Sequence, residues 1–265
     1  MCRKDYGAPN VREVGGAIEQ LALTTRYDAA IFQARARGAI DRVSAFEARI
    51  QTESHAVLSL DPDFLAFFLN QKNALYANYA MLVESEVRKA AALQDDRRRR
   101  TVEAAMFGSI SRSISYAALA LDGNGLSSYG LCSIRISEAV CIAAATLLEE
   151  NSYSFAVRHA NDLVRGIMPP GYRAKWNDRH KLAVVKLANN ISAGTGDNQF
   201  PRLLLEDDGD RTRDRFLEVH IYGPLDEQAF LEFATPDPDA YSPGQTDLCR
   251  IRDWATAHNR PWRKR

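Results

Sequence analysis

Apolar residues recur along the first part of the chain at the three-to-four spacing of helices. Between residues 28 and 58, Ile31, Ile40, Val43, Ile50 and Val57 fall at that spacing with Arg and Glu between them. Asp61-Pro62-Asp63 breaks the pattern and supplies an N-cap signal. The stripe Phe64, Phe67, Phe68, Leu75, Tyr79, Leu82, Val83 and Val87 then predicts one long helix packed on a core. Arg97 to Arg100 follow Asp95 and Asp96 at a spacing that pairs charges on a solvated helix face.

After Phe107 the pattern changes to short apolar runs separated by turn residues. Ile114 to Leu121 and Cys132 to Ile136 read as strands around the turn Asp122-Gly123-Asn124-Gly125. Residues 138 to 148 suit either helix or strand. Asn151 or Ser152 suits a helix N-cap, and Pro169-Pro170-Gly171 marks a loop. Asp178 to Ile191 predicts a helix that Trp176 packs against, and Arg202 to Glu206 a strand. Thr235 to Gly244 reads as a surface loop. Helices first and strands later predict an α+β chain: a helical region over residues 1–105, then an α+β domain over 106–265.

The strongest alternation is Phe216-Leu217-Glu218-Val219-His220-Ile221-Tyr222, stopped by Gly223-Pro224. Leu217, Val219 and Ile221 share one face, and Phe216, Glu218, His220 and Tyr222 the other. A carboxylate and an imidazole side by side on a strand mark either a water-exposed edge or the wall of a catalytic cleft.

Composition narrows the classes. In 265 residues, Lys plus Arg and Asp plus Glu are 34 each, so net charge selects no partner. No apolar run reaches the roughly 18 residues of a membrane span, and Met1-Cys2-Arg3-Lys4-Asp5 does not begin a secretory signal, which leads us to expect a cytoplasmic protein without membrane contact. Cys2, Cys132, Cys141 and Cys249 form no CxxC pair, and the five histidines show no ligand spacing, so no metal is expected. The Arg250–Arg265 segment interleaves basic residues with Trp254, His258 and Trp262. Such a segment suits single-stranded nucleic acid or, more simply, docking on its own domain. Phosphate-loop, GxSxG and HExxH motifs are missing.

The ordered series Leu126-Ser127-Ser128-Tyr129-Gly130, a short strand, Glu150-Asn151-Ser152, and the Phe216–Gly223 strand resembles bacterial ADP-ribosyltransferase-like toxin domains over about residues 108–234. The resemblance implies a split β-sheet around an NAD cleft. It assigns the catalytic carboxylate to Glu218, the NAD phosphates to Arg112 with Arg135 or Arg173 as substitutes, and the nicotinamide side to Ser127, Ser128 and Tyr129. His220 is a candidate base for the acceptor. Phe216 stands where arginine-modifying members carry an acid or Gln, which speaks against arginine as acceptor. The implied protein is an NAD-dependent mono-ADP-ribosyltransferase, an intracellular toxin or phage-defence effector that modifies RNA, DNA or protein, with an antitoxin partner. Two other classes fit the residues: a ribonuclease using His220 and Glu218, and a non-catalytic interaction protein whose surface is the Phe64–Val87 stripe.

Overall fold

A computed structural model describes residues 14–78, 81, 94–240 and 245–265, with side chains from 101 onward in the helix that begins at Gln94. Eight strands form one sheet: β1 (His55–Leu60), β2 (Ile114–Ala120), β3 (Cys132–Ile136), β4 (Ala145–Leu148), β5 (Arg173–Lys175), β6 (Glu218–Tyr222), β7 (Phe230–Thr235) and β8 (Trp262–Lys264). Their order is β5-β4-β6-β2-β1-β3-β7-β8. All neighbours run antiparallel except β7 and β8. With the helices on it, the chain is a mixed α+β protein, as the pattern of elements predicts.

Helices cover both faces. On the first lie α1 (Ala17–Ala36), α2 (Ile40–Glu53), α3 (Pro62–Leu69), α8 (Arg179–Leu187) and α10 (Gln245–Ala257). They contribute Leu23, Phe46, Ile50, Leu65, Leu182 and Ile251 to a core shared with Leu58, Leu119, Ile134, Leu217, Val219 and Ile221 of the sheet region. The aliphatic face expected of residues 217–221 therefore points into the main core. The second face carries α4 (Gln94–Phe107) and α6 (Ser152–Arg158), through Phe107 and Phe155 on Ile114, Leu148 and Tyr222. Beyond them on that face, Leu126, Leu205 and Phe216 pack on Val57, Ala118 and Ala120.

Residues 138–148 resolve into α5 (Glu138–Ala144) followed by β4, and the described residues hold two further short helices, α7 (Ala160–Val164) and α9 (Phe200–Leu204). Trp176 is buried before α8, donating Nε1–H to Glu138 at 2.7 Å, so it packs as expected. The basic segment docks on its own domain: β8 extends the sheet beside β7, and Arg263 and Arg265 bind the carbonyls of Asp122 and Gly125.

Three expectations are corrected. His55–Leu60 is not helical but β1, lying between β2 and β3, so the sheet takes a strand from before residue 105. Its residues are mostly buried and pair on both edges, an environment that overrides helical spacing. The helix begun by Asp61-Pro62 ends at Leu69. Asn73 is left-handed with φ 57°, and the Tyr76 amide donates to Leu225 across the chain. Tyr79, Leu82, Val83 and Val87 of that stripe lie outside the described residues, as do Cys2 and the side chains of Asp95 to Arg100. Residues 202–206 are not a strand. Pro201 opens α9 there, and Glu206 makes only an isolated bridge to Arg215.

The 121–131 connection is drawn tightly onto the sheet. Ser59 Oγ accepts the Leu126 amide at 2.8 Å and Ser133 Oγ the Gly125 amide at 2.9 Å. At Gly130 a Cβ would lie 2.3 Å from the Leu60 carbonyl carbon, so only glycine fits against β1. Gly130→Ala is expected to cost at least about 2 kcal/mol of unfolding free energy, measured by urea denaturation. A loss below about 0.5 kcal/mol would show that the approach is not tight.

Candidate functional site

The register of the sheet builds the site. β6 lies between β4 and β2, with Glu218 opposite Leu148 and Ala118, and His220 opposite Thr146 and Tyr116. An interior strand has no open edge, and α4 and α6 cover its second face, so Glu218 and His220 are buried at 4 % and 1 % exposure. They belong neither to a wet edge nor to an open wall. Because Leu148 ends β4 opposite Glu218, the chain leaving β4 turns back directly over the carboxylate. Asn151 caps α6 there, its side chain accepting the Tyr153 amide at 2.8 Å, and Ser152 is the first helical residue.

Among the described residues, three groups meet the Glu218 carboxylate. The Ser152 hydroxyl makes a short hydrogen bond to Oε1, the Ser152 amide donates to Oε2 at 3.1 Å, and His220 Nε2 lies 2.7 Å from Oε1. The Ser152 oxygen is also 3.3 Å from His220 Nε2. Phe107 and Tyr116 meet the imidazole edge-on, with ring centroids 4.8 and 5.4 Å away. A buried carboxylate is tolerated only with such partners, each worth roughly 1.5–3 kcal/mol when the acceptor is charged.

The other expected residues are distributed differently. Tyr129 joins the cluster at one remove: its hydroxyl accepts Asn151 Nδ2 at 2.9 Å, and its ring meets Phe216 edge-on. Ser127 and Ser128 hold the acidic loop. The Ser127 hydroxyl donates to Asp207 at 2.8 Å, and Ser128 makes a short hydrogen bond to Asp214. Arg112 is exposed in the 3₁₀ turn before β2, at the Tyr222 end of β6. Glu218 is level with Ala118, four strand residues from Ile114, so about 13 Å of strand separates that turn from the carboxylate. Arg135 pairs with Glu232 at 3.1 Å, and Arg173 makes a buried ion pair with Glu19 of α1. Arg135 and Arg173 stand in the same row of the sheet as Glu218, three and two strands away, with their guanidinium groups paired to Glu232 and Glu19.

A cleft of about 520 Å³ opens beside the cluster. Asn151 and Phe216 line it, next in sequence to Ser152 and two residues before Glu218, and Lys186 of α8 and Arg215 lie on it as well. Lys186 Nζ donates to the Phe216 carbonyl at 2.6 Å. Burial pulls its pKa down to about 8 despite the nearby Glu149 and Glu150 carboxylates. Burial also pushes the Glu150 carboxyl above its ordinary range, against the pull of Arg158, which pairs with it at 2.5 Å. Sequence reasoning passed over Lys186 because it sits in a helix read for its apolar face, and Arg215 because it merely precedes a strand. Among the described residues, no group of three or more His, Cys, Asp or Glu is placed to hold a metal, and no helix is long and apolar enough to cross a membrane.

Two outcomes follow from this geometry. Ser152→Ala leaves a buried carboxyl oxygen short of a partner and should lower unfolding free energy by about 1–3 kcal/mol in denaturant titration. An unchanged midpoint would show that the hydroxyl does not hold Glu218. For Lys186, the unfolded chain keeps its proton up to its ordinary value near 10.5, whereas the folded chain sheds it near 8. Between those values the unfolded state binds more protons, so raising the pH favours folding. The stability of the wild type relative to Lys186→Met should be flat below about pH 7 and rise from pH 8 towards 10.5; a flat difference throughout would contradict the lowered pKa. No protein-family model matches the chain, and no curated protein matches it either, so this geometry has to carry any assignment of function.

Proposed function

We propose that the protein transfers ADP-ribose from NAD, with Glu218 as the carboxylate at the reacting ribose. The supporting observation is a carboxylate pinned by Ser152 and His220 on an interior strand, just below a cleft whose wall includes Asn151 and Phe216. The cleft's size falls in the range of small-molecule sites, roughly 300–1,000 Å³.

In this reaction the bond between ribose C1′ and the nicotinamide nitrogen breaks. Its electron pair leaves with nicotinamide, and positive charge develops on the ribose. A fixed carboxylate favours that charge without having to reorganise, as carboxylates do in glycoside cleavage. A lone pair of the acceptor then bonds to C1′, and the acceptor gives up a proton. Ser152 and His220 act here as positioning residues. They hold Glu218 by hydrogen bonds, and His220 is enclosed by Phe107 and Tyr116.

Burial covers Glu218 and His220 alike, so it does not separate this reading from the ribonuclease alternative, in which the imidazole would face a phosphodiester. The acceptor in this proposal is nucleic acid or protein. The Arg263, Lys264 and Arg265 cations give no weight to nucleic acid, since they are spent on Glu232, Asp237 and Asp207.

The test incubates purified protein with NAD labelled in its adenylate phosphate and with cell extract divided into protein, DNA and RNA. The wild type should release nicotinamide and label one fraction. Glu218→Gln should reduce both by about 100-fold or more. A wild type that releases no nicotinamide and labels no fraction would sink the proposal.

A further inference from the structure

We infer that Lys186 and Arg215 form an anion subsite that takes the pyrophosphate of a dinucleotide substrate. The inference rests on the transferase reading for the identity of the substrate, but not for the existence of the site. Arg112 lies a strand's length from Glu218, and Arg135 and Arg173, in its row of the sheet, are taken by Glu232 and Glu19, so a substrate bound beside Glu218 needs its phosphates met by other cations.

Four acids line the same cleft, and each has a cation or a hydrogen-bond donor near it, although the buried Glu150 Oε1 has no hydrogen-bond partner among the described residues. Glu150 pairs with Arg158 at 2.5 Å, and Asp208 with Arg213 at 3.0 Å. Asp214 holds the Ser128 hydroxyl and the Asp208 amide, and Glu206 faces Arg202 at 3.8 Å. Arg213 is also shared with Asp210 at 3.4 Å. Arg215 stands apart. It is exposed, and among the described residues its guanidinium forms no hydrogen bond or ion pair. Lys186 spends one of its three protons on the Phe216 carbonyl, the residue next to Arg215. Burial lowers the Lys186 pKa most, Glu149 and Glu150 oppose it, and Arg158 and Arg215 add to it in smaller measure. Two neighbouring cations on one cleft wall, with the Ser154 hydroxyl on the same wall, present the donors that phosphate oxygens require. Phe216 carries Lys186 on its carbonyl and leads within two residues to Glu218. That puts the phosphates and the reacting ribose on one stretch of β-strand and its approach.

The test titrates inorganic pyrophosphate into the full chain by calorimetry. Wild type, Arg215→Ala, Lys186→Met and Glu218→Gln are compared, with Arg250→Ala, an exposed change on α10, as control. Wild type, Glu218→Gln and control should bind with similar affinity, and Arg215→Ala and Lys186→Met about tenfold or more weaker. Circular dichroism confirms that each variant is folded. Equal affinity in all variants, or no saturable binding by wild type up to about 10 mM, overturns the subsite. Pyrophosphate binding lost in the two cation variants, in a wild type that never releases nicotinamide, supports the subsite and removes the transferase reading. Nicotinamide release with an unchanged KM for NAD in both cation variants removes the subsite and leaves the transferase reading in place.

Discussion

A buried carboxyl group on an interior strand is the constraint around which one face of this protein is arranged. Left alone, a buried carboxylate costs far more than a single hydrogen bond returns. Among the described residues, the structure meets that cost with the Ser152 hydroxyl, the Ser152 amide and the His220 imidazole. Supplying them requires β4 to end at Leu148, Asn151 to cap the next helix, and Phe107 to close over His220. The β4-to-α6 turn, the approach of α4 and the position of the Tyr129 loop all follow from holding one side chain.

The same region is tied to the far side of the sheet by α1. Glu19 binds Arg173 and the Gly171 amide, while Arg26 reaches the Gly171 carbonyl and Glu149 and lies over the Tyr172 ring. Glu149 directly precedes Glu150 on the cleft. The first described helix is therefore a structural support for the candidate site. Desolvation offsets much of the attraction in a buried pair of this kind, so its net contribution to stability is small, whereas removing one partner alone leaves an uncompensated buried charge.

Legibility in the sequence followed the range of the forces involved. Alternation placed β6 and the face carrying Glu218 and His220, and short apolar runs between turn residues placed β2 and β3, because both signals are local. Asn151 as a cap and Trp176 as a packing residue were also local. Neighbours in space were not legible. Nothing near His55–Leu60 in sequence shows that β2 and β3 will flank it, and its apolar residues fit a helical count equally well. Pro201 suited α9 better than the strand read at 202–206. Lys186 and Arg215 become partners only because α8 packs beside the start of β6. The separation of Arg112 from Glu218 is likewise a matter of register, which a linear series of motifs does not encode.

The central place of β1 has a kinetic consequence. Its two neighbours are contributed from more than fifty residues further along the chain, and β6, β7 and β8 arrive later still. No contiguous stretch of the polypeptide can assemble the middle of the sheet on its own. Loop-closure entropy must be met before any pairing of β1 returns energy, which belongs to slow, non-local folding. On a ribosome, β1 would emerge early with both edges open and wait for its partners. Its apolar residues would be exposed over that interval, when a newly made chain is most prone to stick to others.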